Sequence, residues 1–342
     1  MSLTNFPNGI TSFGVPVLGT IGGLPFTGNY YFVDPVNGAD GNEGTPELPL
    51  KTLYGALAKC TAGNNDVVVL MGDGTSAGSA RLSTALAQTI DSTATAGTLN
   101  WNKNATHLIG VAAPTMVAQR ARIAPPTGTY TAATFNSDAF INVTASGCYF
   151  ANLSVFCGFS TGSASMVAWT DSGSRNAYSN VNIFGMADAA SAGGANARSL
   201  KLNGGGEHTF INCTLGGDTV ARGAANATVE LAGGTARNTF IDCVFPFQCS
   251  AATPLGLKVG VAGMDRYAVF KNCAFINNVG STSTSMTAFA TLAASAGGQV
   301  IVQNTMMVGV GEFGSDASSL GQIYVDMPAP SASAGGIGVN PS

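Results

Sequence analysis

Charged side chains are scarce in this chain of 342 residues, in which 14 Lys and Arg and 18 Asp and Glu amount to 9%. An ordinary soluble domain carries roughly 25%. The basic residues are scattered singly, so no cluster could follow a phosphate backbone, and we expect no nucleic-acid partner. A surface with so little charge stays soluble through Ser, Thr, Asn and Gly, or is covered by partners.

Long apolar runs and metal-binding spacings are missing as well. The longest uninterrupted apolar run, 67–71, is far shorter than the roughly 20 residues of a membrane-spanning helix, so we expect no membrane association. The N-terminus lacks the charged-then-apolar pattern of a secretion signal. The seven cysteines contain no CxxC pair, which leaves zinc and thioredoxin-like chemistry without support, and we expect no cofactor.

A six-residue pattern recurs along the second half of the chain. It consists of an aromatic residue (Val in the last copy), any residue, Asn or Asp, and then apolar residues in alternation. The copies begin at 150, 178, 210, 240, 270 and 302, and shorter alternating stretches precede five of them at 141–143, 167–169, 200–202, 229–231 and 259–261. Alternation of period two predicts half-buried strands, and Gly- or Ser-rich bends separate most of them.

Strands at a fixed period of about 30 residues predict an all-β solenoid, a single-stranded parallel β-helix. Each coil buries its apolar face only when the next coil stacks on it. We therefore expect an inward aromatic column of Phe150, Tyr178, Phe210, Phe240 and Phe270. A second column holds Cys213, Cys243 and Cys273, for which buried free thiols are favoured over disulfides or metal ligands.

The polar residue of the repeat is expected at a bend between two strands. Asn tolerates the left-handed backbone conformation there, and its amide can bond to the copies above and below. This polar column consists of Asn152, Asn180, Asn212, Asp242, Asn272 and Asn304.

Composition divides the chain into four segments. Residues 1–28, rich in Pro and Gly, form an extended arm, and 29–65 form the N-terminal cap of the β-helix. Within the cap, apolar residues at 50–60 have the spacing of a short amphipathic helix, which would close the open end of the solenoid. The β-helix occupies 66–326, beginning with irregular strands at 66–72 and 106–111, and 327–342 form an irregular tail.

The opening of the cap resembles that of pectate-lyase-like right-handed β-helix proteins. The matching order is a strand, Asp34-Pro35, Asn37-Gly38-Ala39-Asp40, Gly44-Thr45, Pro49-Leu50-Lys51-Thr52-Leu53 and a helix. The resemblance implies a right-handed β-helix of the kind found in phage tailspikes, phage structural proteins and bacterial surface proteins. Residues 5–17 resemble the N-terminal arm of virion proteins encoded beside phage head genes, which implies that the arm docks on a capsid.

Candidate catalytic groups do not form a consistent constellation. Pectate lyases of this fold hold calcium with outward carboxylates, whereas Lys201, Glu230 and Lys258 on successive coils read as a self-neutralising surface ladder. A glycosidase needs two carboxylates that flank one bond. The available acids share no position in the repeat: Asp171, Glu207, Asp218 and Asp265.

Two further chemistries are weighed against simpler interpretations. GxSxG patterns at 74–78 and 158–162 are expected by chance in a chain rich in Gly and Ser, and only His107 and His208 could serve as the base of a hydrolase. A calcium loop would need oxygen ligands such as those of Asp34, Asn37, Asp40, Asn42 and Glu43. Their spacing is not that of an EF-hand, and a tight turn with Asx hydrogen bonds fits better.

Outward positions beside the polar column are nearly uncharged, with Lys271 the one charge. They are Ala151, Ser154, Ser179, Ile211, Thr214, Ile241, Val244 and Ala274. A patch so apolar is expected to be covered, by a loop or by another copy of the chain. The phage resemblance implies trimeric packing through one face, and we predict an oligomer face at Ile211, Ile241 and Val244.

These inferences predict a non-enzymatic bacteriophage virion protein, a homotrimeric decoration or head-fibre protein on the capsid exterior, made in the host cytoplasm. Its predicted partner is the major capsid protein or another virion protein, reached by the apolar arm residues Phe6, Ile10, Phe13, Val15 and Val17. The alternative is a tailspike-like carbohydrate-binding or polysaccharide-degrading protein, but Trp101 and Trp169 are the only Trp and Trp169 is inward. A bacterial surface adhesin is a third option, disfavoured without a secretion signal.

Overall fold

The computed structural model describes residues 27–71, 98–111, 121–123, 139–157, 167–277, 284–314 and 322–326, and the backbone of four short N-terminal strands. These strands form two antiparallel pairs, β1 (Thr11–Ser12) with β2 (Val15–Pro16) and β3 (Thr20–Ile21) with β4 (Leu24–Pro25). The predicted docking residues Phe6, Ile10, Phe13 and Val17 lie outside the described residues, and only the backbone of Val15 is described.

Beyond these pairs, every described strand pairing is parallel, and the coils build three faces. Face one is an eight-stranded sheet, and its strands present the upstream stretches of the repeat. In order along the sheet they are β7 (Leu99–Trp101), β10 (Ala139–Val143), β12 (Val167–Asp171), β14 (Arg198–Asn203), β18 (Ala227–Ala232), β21 (Leu255–Val259), β24 (Met286–Leu292) and β27 (Val310–Gly314).

Faces two and three belong to one 16-stranded sheet that turns at the polar column. Face two precedes the turn and contains β5 (Tyr30–Val33), β6 (Asp66–Met71), β8 (Thr106–Val111), β11 (Tyr149–Phe156), β13 (Ala177–Phe184), β15 (Thr209–Ile211), β19 (Thr235–Ile241), β22 (Met264–Lys271), β25 (Gly298–Gln303) and β28 (Ile323–Val325). Face three follows the turn and contains β9 (Arg122–Ile123), the second halves of β11 and β13, β16 (Thr214–Leu215), β17 (Gly217–Arg222), β20 (Val244–Cys249), β23 (Ala274–Asn277) and β26 (Met306–Val308).

The predicted aromatic column is confirmed. The rings stack on successive coils with centroids 5.1 Å apart for Phe150 and Tyr178, 4.3 Å for Tyr178 and Phe210, 4.7 Å for Phe210 and Phe240, and 4.6 Å for Phe240 and Phe270. All five are 0–1% exposed. The spacing follows from the roughly 4.8 Å separation of neighbouring strands, which leaves room for one ring per coil.

The polar column also lies where the sequence predicts it. All six residues have positive φ, from 42° at Asn304 to 54° at Asn152. The Asn180 amide donates to Asn152 Oδ1 at 2.9 Å, and the Asn304 amide donates to Asn272 Oδ1 at 2.9 Å. Because L-residues rarely adopt this conformation, the bend requires Asn, Asp or Gly at each turn of the solenoid.

The cysteine column consists of buried free thiols, as predicted, and all seven cysteines are unpaired. Each thiol lies within hydrogen-bonding distance of the carbonyl of an inward aromatic residue on the preceding coil, Cys243 of Phe210 at 3.6 Å and Cys273 of Phe240 at 3.5 Å. Each also lies close to the carbonyl two residues before it, Ile241 at 3.3 Å and Lys271 at 3.4 Å. On the last coil the Thr305 hydroxyl makes the same contact with the Phe270 carbonyl at 3.3 Å. The column is therefore a hydrogen-bonding position as well as a packing one.

Two helices are found in the described part of the chain, and neither has the length and apolar character that a membrane span requires. Helix α1 (Leu53–Lys59) buries Leu53, Ala56 and Leu57 and confirms the predicted amphipathic helix at 50–60. Helix α2 (Ala189–Ala192) was not predicted from the repeat, although Asp188 and Ser191 form a capping box at its start.

Candidate functional site

The candidate site is a surface that we call the corner patch, on the C-terminal coils where face two meets face three. Its side chains alternate with inward residues such as Phe240 and Phe275, so they point outward. Register aligns Val244 with Ala274 and Met306 on successive coils. The corner patch consists of Ile211, Ile241, Val244, Ala274, Ile276, Met306 and Val308.

These seven side chains are apolar, and three are well exposed. Met306 is 45% exposed, Ile211 39% and Ile276 36%, and the other four are half-buried. The exposed polar column, which includes Asp242, divides the patch into Ile211 and Ile241 on face two and the other five residues on face three. Lys271 follows Ile241 in register on the next coil. The apolar side chains on the two sides of this column are suited to burial against another surface.

The corner patch contains all three residues of the predicted oligomer face and adds four. Ile276, Met306 and Val308 were missed, although their alternation with Phe275 and Met307 could have revealed them. Three of the outward positions that we expected to be covered are buried within the chain itself: Ala151 (2%), Ser154 (2%) and Thr214 (3%). The outward surface is therefore covered on the N-terminal coils and open on the C-terminal coils.

A satellite apolar cluster explains part of this cover on face three. Phe184 and Met186 pack with Ala192 of helix α2, and Val220 of β17 packs against them. On face two, Val67, Val69, Ile109, Tyr149 and Ala151 form a second outward cluster, separate from the interior. Helix α2 belongs to an insertion between β13 and β14 that the repeat pattern does not describe, whereas the face-two cluster consists of residues of β6, β8 and β11.

Arg222 anchors the α2 layer without a carboxylate partner among the described residues. It is 1% exposed, its Nε donates to Asn226 Oδ1 at 2.7 Å, and its other donors reach Thr228 Oγ1 and the Leu255 carbonyl, both at 2.9 Å. Burial lowers the pKa of Arg222 to about 10. The guanidinium thus ties together two coils in the interior and is not available to a ligand.

The three residues of the predicted surface ladder are in register, but the ion pair that Glu230 forms is with another residue. Lys201, Glu230 and Lys258 are aligned on neighbouring strands. The Glu230 carboxylate accepts from Arg198 Nε at 2.8 Å, on the coil before it. One stretch of face one also differs from prediction, because β21 ends at Val259 and Val261 is 74% exposed.

Two of the candidate acids, Asp171 and Glu207, are not arranged as a catalytic pair. Asp171 is fully buried in the interior, whereas Glu207 lies on the surface between Arg175 (2.7 Å) and Arg237 (3.3 Å), so these two cannot flank one bond. Asp265 is 3.7 Å from Arg266. Both histidines are buried, and the two GxSxG patterns lie outside the described residues.

The residues weighed as calcium ligands form Asx hydrogen bonds, as the tight-turn interpretation predicts. Asp34 Oδ1 accepts from the backbone N–H of Val36 and Asn37, and Asp40 Oδ1 accepts from Lys51 and Thr52 at the start of α1. Within the described ranges, no group of three or more His, Cys, Asp or Glu could hold a metal ion. These carboxylates shape the cap of the solenoid.

Both tryptophans are fully buried, so neither could stack on a sugar. Two tyrosines on the outer side of face two are exposed instead: Tyr267 (38%) on β22 and Tyr324 (51%) on β28. Strand β25 lies between them and places Gln299 beside Tyr267 and Ile301 beside Tyr324. This pair was not recognised in the sequence, because the exposure of the two tyrosines depends on which strand ends the sheet.

No protein-family model matches the sequence, and no curated protein is significantly similar to it. Similar solved structures include pectate lyase Pel9A (14% identity, TM-score 0.50, 81% of this chain and 62% of that one). They also include pectin methylesterase PemA from Erwinia chrysanthemi (15%, 0.44, 91% and 85%) and a rhamnogalacturonan lyase (14%, 0.45, 81% and 73%). The chain thus spans less than two thirds of Pel9A.

At such identities the similarity defines the fold alone. It confirms the predicted class, a right-handed parallel β-helix of the pectate-lyase-like kind.

Proposed function

We propose that this protein is a non-enzymatic structural protein that assembles as a homotrimer through the corner patch, on the exterior of a phage particle. The corner patch is the observation that carries the assembly. The trimeric stoichiometry and the particle come from the resemblance of residues 5–17 and of the cap to virion proteins.

The physical argument concerns the cost of leaving the corner patch in water. Burial of apolar surface contributes about 25 cal/mol per Å² before ordering costs, and Ile211, Ile276 and Met306 retain more than a third of their surface. The strands beneath are rigid, since their inward neighbours are fully buried rings. A rigid surface loses little entropy on binding, which favours association of identical copies.

Charge insertion tests the assembly. Ile276→Asp and Met306→Asp each place a carboxylate inside the proposed interface, where an uncompensated buried charge costs about 3 kcal/mol or more, equivalent to roughly 100-fold weaker association. Val261→Asp is the matched control, because Val261 is 74% exposed and lies outside the corner patch. Sedimentation should give trimers for the wild type and the control and monomers for the other two variants.

A wild-type monomer, or trimers that survive both substitutions, would contradict assembly through this surface. The placement on a particle has a separate test. Deletion of residues 1–19 should leave the β-helix folded and abolish co-sedimentation with phage capsids. Binding that persists after this deletion would refute the docking role of Phe6, Ile10, Phe13, Val15 and Val17.

A second candidate function is carbohydrate binding, favoured by the exposed pair Tyr267 and Tyr324. Aromatic faces supply large rigid contact area to a ligand, and Gln299 beside Tyr267 offers an amide donor and acceptor. Retention of the protein on immobilised pectin or host polysaccharide, lost in the Tyr267→Ala, Tyr324→Ala double variant, would support it. Equal retention of the double variant would exclude this site.

A further inference from the structure

A buried carboxylate lies in the interior of the solenoid at the end of β12. Asp171 is 0% exposed and accepts from the Gly173 N–H at 2.8 Å, from the Asn176 amide at 2.9 Å, and from the Tyr178 hydroxyl. The Trp169 indole in turn donates to the Tyr178 oxygen at 3.1 Å. These donors satisfy the carboxylate without any basic side chain.

His208 is the residue that faces this carboxylate from the next coil. It is 0% exposed, and its Nδ1 lies 3.5 Å from Asp171 Oδ2, too far for a good hydrogen bond. Neither ring nitrogen has a hydrogen-bond partner among the described residues. An N–H on Nδ1 can point towards the carboxylate, so a second proton would have to enter on Nε2, for which the described part of the chain offers no acceptor.

The neighbouring coils carry Asn where this coil carries His208. Asn176 Oδ1 accepts the Cys148 N–H at 2.8 Å, and Asn238 Oδ1 accepts the His208 N–H at 3.2 Å. The imidazole of His208 interrupts this inner ladder, since it makes no equivalent bond to the coil below. His208 is thus the one ionisable member of an otherwise neutral ladder position across these three coils.

Among the described residues, the ionisable group that faces His208 is Asp171. On the preceding coil Tyr178 bonds to Asp171, and the coils on either side present the neutral amides of Asn176 and Asn238. Glu207 precedes His208 but faces solvent between Arg175 and Arg237. Burial lowers the pKa of His208 from 6.5, and Asp171 opposes this only in part.

We propose that His208 makes the solenoid acid-sensitive, so that mildly acidic conditions favour opening of the coil that contains it. In the unfolded chain the His208 imidazole is protonated with about its ordinary pKa of 6.5, whereas burial in the folded chain opposes protonation. Above that pH, His208 does not reduce the free energy of unfolding. As the pH falls below it, the unfolded chain takes up the proton and the free energy of unfolding decreases. Each proton taken up only on unfolding lowers the folding equilibrium constant tenfold per pH unit.

The chain has two histidines, so the contribution of each to the pH dependence can be separated by substitution. His107 also destabilises the folded chain at low pH, because burial lowers its pKa to about 4 and its Nδ1 accepts the Tyr149 N–H at 3.1 Å. Between pH 6 and pH 5 the wild type should lose roughly 60-fold of its folding constant, since each unfolded imidazole of pKa about 6.5 contributes roughly eightfold. The variant His208→Asn, which restores the inner ladder, should lose about eightfold.

Urea unfolding of the full chain at pH 8, 7, 6 and 5 measures how the free energy of unfolding changes with pH, with His107→Gln as the matched control that retains His208. The same change with pH in the wild type and in His208→Asn would overturn the proposal. If His208→Asn does not fold, the two histidine signals of the wild type decide by NMR. A His208 signal that titrates in the folded protein at or above pH 6.5 would overturn it, and one that stays neutral to below pH 6 would support it.

Discussion

Removal of one ring from the aromatic column is expected to destabilise the β-helix severely. Phe240 is 0% exposed, stacks on Phe210 at 4.7 Å and on Phe270 at 4.6 Å, and meets Phe245 edge-on at 6.1 Å. Truncation of a fully buried Phe to Ala typically costs about 3–5 kcal/mol. The two stacked contacts favour the upper end of that range for Phe240→Ala, about 5 kcal/mol.

The assay must show which coils lose stability in Phe240→Ala, because the stability of a solenoid is a sum over its coils and the interfaces between neighbouring coils. Hydrogen exchange should show lost protection concentrated in β15, β19 and β22, and denaturant unfolding should give the magnitude. Ile241→Ala is the matched control, since Ile241 is the next residue on the same strand, points outward and is half-buried. It should cost no more than about 1 kcal/mol in the monomer. A loss below about 1 kcal/mol for Phe240→Ala would refute the stacking argument.

The remaining predictions concern the two other columns. Asn180→Ala should cost about 2 kcal/mol, because it places an ordinary residue at φ 53° and removes the bond to Asn152, whereas Asn180→Gly should cost about 1 kcal/mol or less, as measured by thermal unfolding. Cys243→Thr should cost less than about 1.5 kcal/mol, since Thr305 already occupies this position, and Cys243→Leu should cost more by overpacking. All seven native thiols should resist alkylation at pH 8, because they are buried and burial raises the pKa of Cys60 to about 12 and of Cys148 to about 11.

The sequence predicts those parts of the fold that are periodic. Repetition every 28 to 32 residues sets which residues stack, so the positions of Phe210, Cys243 and Asn272 follow from spacing alone. The capping helix follows from the same kind of local pattern, since Leu53, Ala56 and Leu57 share one side of a short helix. The periodic parts can be recognised in the sequence because every coil must bury the same apolar positions against its neighbours.

The non-periodic parts could not be predicted in this way. The α2 layer depends on an insertion that folds back over Phe184, and no repeat position encodes it. The partner of Glu230 is Arg198, three residues along β14 from the predicted Lys201, because the bridge runs diagonally between coils. The inward position of His208 was recognisable from its alignment with Asn238, but its approach to Asp171 required coordinates.

The most direct test of the account is an image of the purified protein. Single-particle cryo-EM of the wild-type chain should show three parallel rods of 34.3 kDa each, packed along the corner that carries Ile241, Ile276 and Met306. Separate single rods, or rods joined through another face with this corner open to solvent, would contradict the central claim.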